Sequence, residues 1–169
     1  SGPNRVRRAR AGQRWATLVP EGTAFVPEIA SLLDTGHKDL ARAAAAIARQ
    51  VRPRDHGTLV ALRHRWANAD RADPVRIDFR SAIDAIDASL ASEIAGLQRG
   101  VLVQQGPAIC RALGVTAGPD GFRELTALVG PNARDDDVGL RRAAAEALGE
   151  LGDASAKYRL VDALGDRNE

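Results

Sequence analysis

Leu140, Ala144, the pair Ala147/Leu148 and Leu151 stand at offsets of 0, 4, 7/8 and 11, which puts them on one face of an α-helix. Both ends of that segment are marked. Asp135, Asp136 and Asp137 supply an N-cap and acidic side chains at the positive end of the helix dipole. Gly152 stands where a left-handed residue ends a helix. The frame recurs upstream, and recurrence constrains the fold more than any one motif, because each copy must cover its apolar face with a neighbour. Val75, Phe79, Ala82/Ile83 and Ile86 form one copy, with Pro74 suited to the first helical turn. Leu40, Ala44, Ile47 and Val51 form another. Leu102, Gly106, Ile109 and Leu113 form a weaker one, in which Pro107 is expected to interrupt the helix and restart it.

Shorter amphipathic stretches separate these frames, over residues 24–33, 57–67, 89–97, 119–129 and 154–164. Their anchors include Ile29/Leu32/Leu33, Leu59/Leu62/Trp66, Leu90/Ile94/Leu97, Leu125/Leu128/Val129 and Leu160/Val161/Leu164. The order is helix A, turn, helix B, turn, repeated, with the B frames starting 35, 27 and 38 residues apart. One helix pair has two apolar faces and covers only one, so the expected architecture is all-α, an α-solenoid of about four to five stacked antiparallel pairs. The 32 alanines suit close helix approach. A four-helix bundle is the rival, but it wants longer helices and larger core residues. Val101-Leu102-Val103 is the one β-like run and is too short for a sheet. The spacing gives a basic arm over 1–20 and a repeat domain over 21–169, with repeats 23–53, 56–87, 89–115 and 119–152 and a partial one over 154–166.

Leu140-Arg141-xx-Ala144-xx-Ala147-Leu148-Gly149-x-Leu151-Gly152-Asp153, followed by Leu160-xx-Ala163-Leu164-x-Asp166, resembles the HEAT repeat. More narrowly, it is similar to the short alanine-rich bacterial form found in phycobilisome lyases and many scaffold proteins. Ile29-xx-Leu32-Leu33-Asp34 followed by Leu40 to Val51 is a second copy, and residues 57–87 are a third. The resemblance implies a right-handed superhelix whose B helices line the concave face. It also implies that Arg76 and Arg141 pair with aspartates between repeats, with Asp34 and Asp166 among the inter-repeat positions. In the first copy that arginine position is held by Ala41, with Arg42 beside it.

Charge is uneven. Residues 1–20 hold Arg5, Arg7, Arg8, Arg10 and Arg14 and no acid, whereas the other 149 residues carry a net −3. The arm suits phosphates or an acidic protein surface, unless it is simply a solvated tail. Arginine outnumbers lysine 22 to 2, which with the alanine content points to a GC-rich bacterial genome. No run approaches the ~18 apolar residues of a membrane span, and the first residues lack the apolar core of a secretion signal. A cytoplasmic protein is expected.

The chemistry-bearing residues are sparse. His56 and His64 stand two helical turns apart, too far to share a metal, and His37 falls at a turn. Cys110, the single cysteine, reads as a small buried residue with no local base to activate it. Asp135 to Asp137 lack the alternation of a calcium loop, and Asp78, Asp84 and Asp87 are expected on a solvated face. There is no phosphate loop, nucleophile elbow or dinucleotide fingerprint. No metal, cofactor or catalytic residue is therefore expected. Arg42, Arg49, Arg80, Arg111 and Arg142 fall on B helices off the apolar frame and are the candidate partner-binding set. Trp66 is expected in the core, and Trp15 packs on the first repeat or marks a contact site. The leading expectation is a non-enzymatic scaffold for a protein partner. A nucleic-acid binder using the arm and an arginine-lined groove is the first alternative, and a lyase-type enzyme or enzyme accessory subunit the second. The last stretch, 154–164, looks like a helix A without its B partner, which makes self-association through that end a further expectation.

Overall fold

A computed structural model describes residues 26–130, 138–152 and 154–164. They form eight α-helices: α1 (Val26–Asp34), α2 (Lys38–Val51), α3 (His56–Asn68), α4 (Val75–Gly96), α5 (Arg99–Thr116), α6 (Pro119–Val129), α7 (Val138–Leu151) and α8 (Ala154–Leu164). The described residues contain no strand. The chain divides into two compact units, Ser1–Ile86 and Asp87–Glu169, and the division falls inside α4.

In the first unit α1 packs on both α2 and α3. The inward face of α2 is entirely alanine: Ala41, Ala44, Ala45 and Ala48 are buried. Leu40, expected to open the apolar frame, is instead 43% exposed, and Ile47 and Val51 are half-buried. The helix has turned so that its smallest residues meet the seam, where a methyl group allows closer approach than an isobutyl. The buried frame thus begins at Ala41, one residue later than the apolar pattern indicates. Leu33, Leu62, Phe79, Ile83 and Ile86 supply the bulk that the alanines do not.

Side chains show how alternate helices run. Lys38 bonds Asp73 at 2.5 Å, Arg42 bonds Asp78 at 2.6 Å and Arg49 bonds Ser81 at 3.4 Å, with sequence separations of 35, 36 and 32. The pairs advance in the same sense, so α2 lies beside α4 and parallel to it. Arg65, in the last turn of α3, donates to the carbonyl of Leu33 at the end of α1. That carbonyl is one of the four a helix leaves without an internal partner. The helix starts are set locally: Asp55 caps α3 by accepting from the Thr58 N–H at 2.8 Å, and Asp73 accepts from the Val75 N–H at 3.1 Å.

The second unit is built on glycine. Here α5 packs on α6 and α7, while α7 and α6 both meet α8. A Cβ on Gly106 would stand 2.5 Å from Leu140 Cδ1, and one on Gly114 would stand 3.1 Å from Ala147 Cα. Cys110, between them, is fully buried. Gly106 meets Leu140 and Gly114 meets Ala147, so α5 and α7 also run parallel, 33 to 34 residues apart. The third frame therefore begins at Gly106, one turn later than Leu102, which is only half-buried.

Two expected interruptions are absent. Residues 75–95 contain no glycine or proline, and the helix runs through the turn expected near residue 88 until Gly96. Likewise α5 continues through Pro107 without restarting. Proline removes the bond to the Val103 carbonyl, and Val103 is exposed, so water can take its place. Gly152 is left-handed (φ 64°), as its position after α7 predicts, and Gly36 (φ 74°) behaves alike after α1. The Asp135–Asp137 cap lies outside the described residues.

Candidate functional site

The exposed face of α4 is where polar chemistry gathers in the first unit. Val75, Phe79, Ala82, Ile83 and Ile86 face inward, which turns Arg76, Ile77, Arg80, Ser81 and Asp84 outward by helical periodicity. Trp66, from α3, reaches the same place. It is half-buried rather than part of the core. The Arg76 and Arg80 guanidiniums, one helical turn apart, sit over its ring at 5.1 and 5.3 Å from the centroid. These residues bound an open cleft of about 440 Å³. Arg80 Nε also bonds Asp84 Oδ2 at 3.0 Å. Arg76 Nη1 donates to the Ala69 carbonyl at 3.2 Å. The aspartate partner implied for Arg76 is thus replaced, among the described residues, by a carbonyl and an indole face.

The candidate arginines separate into groups. Arg42, Arg80 and Arg142 are occupied by Asp78, Asp84 and Glu146 respectively. Arg49 bonds only the Ser81 hydroxyl among the described residues, and Arg111 is exposed on α5. Arg42 forms the cross-helix ion pair that the resemblance implied for Arg76, because the buried frame of α2 starts at Ala41 and Arg42 follows it. Arg141 is half-buried on α7, and Asp34 is exposed at the end of α1. Trp15, Asp166 and Arg5, Arg7, Arg8, Arg10 and Arg14 lie outside the described residues.

Asp87 corrects the expected solvated aspartate face. Asp78 and Asp84 are partly exposed in ion pairs, but Asp87 is 1% exposed. Its Oδ1 accepts from the Thr116 hydroxyl at 2.6 Å and its Oδ2 from the Gly121 N–H at 2.9 Å. Gly121 is the third residue of α6, whose own N-cap position is Gly118, without a side chain. A carboxylate 34 residues upstream therefore caps the helix. Gly118 and Gly121 leave the space it fills: a Cβ on Gly121 would stand 2.5 Å from Asp87 Oδ1, and one on Gly118 would overlap Oδ2. No local signal in the sequence marks this pairing; only the glycines three residues apart hint at a close approach.

The remaining reactive groups do not cluster among the described residues. Burial pushes the Cys110 thiol up to about 12, against a smaller opposing pull from Arg111, so it is protonated at neutral pH. His37, His56 and His64 are exposed, and no cluster of three potential metal ligands occurs among the described residues. No described helix is long and apolar enough to cross a membrane. Compared with protein-family models, curated proteins and solved structures, the chain finds no significant match.

Proposed function

We propose that the chain is a HEAT-like α-solenoid scaffold, without catalytic activity, that binds a protein partner on the exposed surface of its B helices. The observation that carries this reading is the register of alternate helices. α2 and α4 run parallel at separations of 32 to 36 residues, and α5 and α7 at 33 to 34. The contacts of α1 with α3 and of α6 with α8 add the A-helix layer. Such a register is what stacked helix pairs of about 33 residues produce. A bundle around one interior does not require it.

Protein is favoured over nucleic acid by the state of the arginines. Three of the five B-helix candidates already hold carboxylates, whereas a nucleic-acid surface presents a continuous cationic track. The same reading includes self-association through α8, where Tyr158 and Val161 stand 75% and 58% exposed. Chemical cross-linking of the full chain in its native extract tests the proposal, run beside a salt-titrated DNA-binding assay. A specific protein adduct with no DNA binding at low salt supports it. Micromolar DNA binding that weakens steeply with salt, with no protein adduct, refutes it.

A further inference from the structure

We propose that the cleft between Trp66 and the outer face of α4 docks an acidic, partly aliphatic peptide segment of the partner, with a carboxylate seated on Arg76 and an aliphatic side chain on Ile77. This rests on the scaffold reading and names the chemistry of what the scaffold holds.

Three observations on the first unit converge. The first is charge. Arg42–Asp78 and Arg80–Asp84 neutralise themselves, which leaves Arg49 and Arg76 without a carboxylate among the described residues. A positive patch remains on a body that is net negative outside the arm, so the complementary ligand is acidic. The second is preorganisation. Arg76 is pinned by the indole at 5.1 Å and by the Ala69 carbonyl at 3.2 Å. A guanidinium has five donors, and the stacked, extended side chain has already lost most of the freedom that binding would otherwise remove. The third is exposed apolar surface. Ile77, in the same cleft, is 71% exposed, the most of any large aliphatic residue among those described. An arginine–tryptophan stack beside an uncovered aliphatic side chain has the composition of an interface hot spot.

Nucleic acid fits the cleft less well. The guanidiniums already cover the indole, so a base that stacked there would have to displace them. Asp84 also interrupts the cationic surface on the same helix face.

The test is fluorescence anisotropy on the full chain with a labelled synthetic peptide of glutamate and leucine in a glycine–serine background. Matched peptides replace the glutamates by glutamine or the leucines by serine, and a single-stranded oligonucleotide serves as competitor. The acidic peptide binds, and both matched peptides bind more weakly. Arg76→Ala weakens binding by roughly tenfold and Ile77→Ser by several-fold. Asp84→Asn strengthens it, because it removes a like charge and releases Arg80. Arg123→Ala, on α6 in the second unit, changes nothing, and thermal melts confirm that each variant is folded. The proposal is overturned if the acidic peptide fails to bind, if the glutamine peptide binds as well, if Arg76→Ala has no effect, or if the oligonucleotide displaces the peptide with the same sensitivity to Arg76. A cross-linked partner whose attachment survives Arg76→Ala and Ile77→Ser together overturns the cleft and leaves the scaffold standing. Loss of every protein adduct removes the scaffold itself.

Discussion

Asp87→Ala removes the acceptor of both the Thr116 hydroxyl and the Gly121 N–H and opens a gap between Gly118 and Gly121. Buried donors left without partners and a lost helix cap together cost about 3 kcal/mol. Asp87→Asn keeps the shape and one acceptor oxygen, and Thr116 retains its 3.0 Å bond to the Leu113 carbonyl, so its cost is nearer to about 1 kcal/mol. Urea unfolding measures both, and a negligible loss for Asp87→Ala would show that the carboxylate does not cap α6. The same contact makes Gly121→Ala destabilising even though alanine is the better helix former, since its Cβ meets Asp87 and also lies 2.8 Å from Leu113 Cδ2. The first unit offers a residue pair with a pH signature. A hydrogen bond from Lys38 holds the Asp73 carboxyl below its ordinary 3.8, helped by the Val75 N–H. That contribution is whole above 3.8 and disappears as pH falls through the lowered value. The same bond raises the Lys38 ammonium above 10.5, so its contribution is whole below 10.5 and is lost as pH rises through the raised value. The stability difference between wild type and Lys38→Ala therefore narrows at both pH extremes. It also shrinks with added salt, because the pair is exposed. A difference independent of pH would mean that the bond is not formed in solution.

At the scale of the element, the glycines of α5 and α7 have opposite consequences. A Cβ added at Gly149 in α7 would meet nothing within 4 Å, whereas one at Gly114 in α5 would face the Ala147 backbone. Gly149→Ala consequently stabilises by about 0.5–1 kcal/mol through helix propensity alone. Gly114→Val forces α5 and α7 apart and costs about 3 kcal/mol. Differential scanning calorimetry separates the two, and a neutral Gly114→Val would mean that the helices do not approach closely there. The α2 seam follows the same rule. Alanine faces inward and Leu40 outward, because the spacing between helices selects side-chain volume before hydrophobicity. Periodicity finds a helix and approximates its apolar side, but where alanines and leucines adjoin it cannot decide which of them a neighbour will accept.

At the scale of the molecule, self-association through α8 is the remaining proposal. Tyr158→Glu with Val161→Glu places charges on that exposed face, and sedimentation velocity across a concentration series reads the result. Wild type sediments faster as concentration rises and the double variant does not. Identical behaviour of the two proteins would exclude this face. The functional proposals depend on which surfaces are left over after packing, and three of the five candidate arginines, Arg42, Arg80 and Arg142, are satisfied by carboxylates on the same or the neighbouring helix. Arg76, assigned a structural role from its place in the repeat, is instead the one stacked on Trp66 and free of a carboxylate among the described residues. Its distinction arises from a tryptophan ten positions earlier, brought alongside by the turn between α3 and α4.

Spacing within single segments was enough to show that the described residues are helical and that Gly152 ends α7. Each of these depends on residues within a turn or two of one another, where backbone geometry relates spacing to direction. Packing between helices, by contrast, is what turns α2 on Ala41, carries α4 through residue 88, brings Asp87 to cap a helix 34 residues away and puts Arg76 in a cleft with Ile77. Those outcomes are set by how closely two helices can approach and which polar groups the approach leaves to be satisfied. Such quantities belong to pairs of segments, and no single segment encodes them.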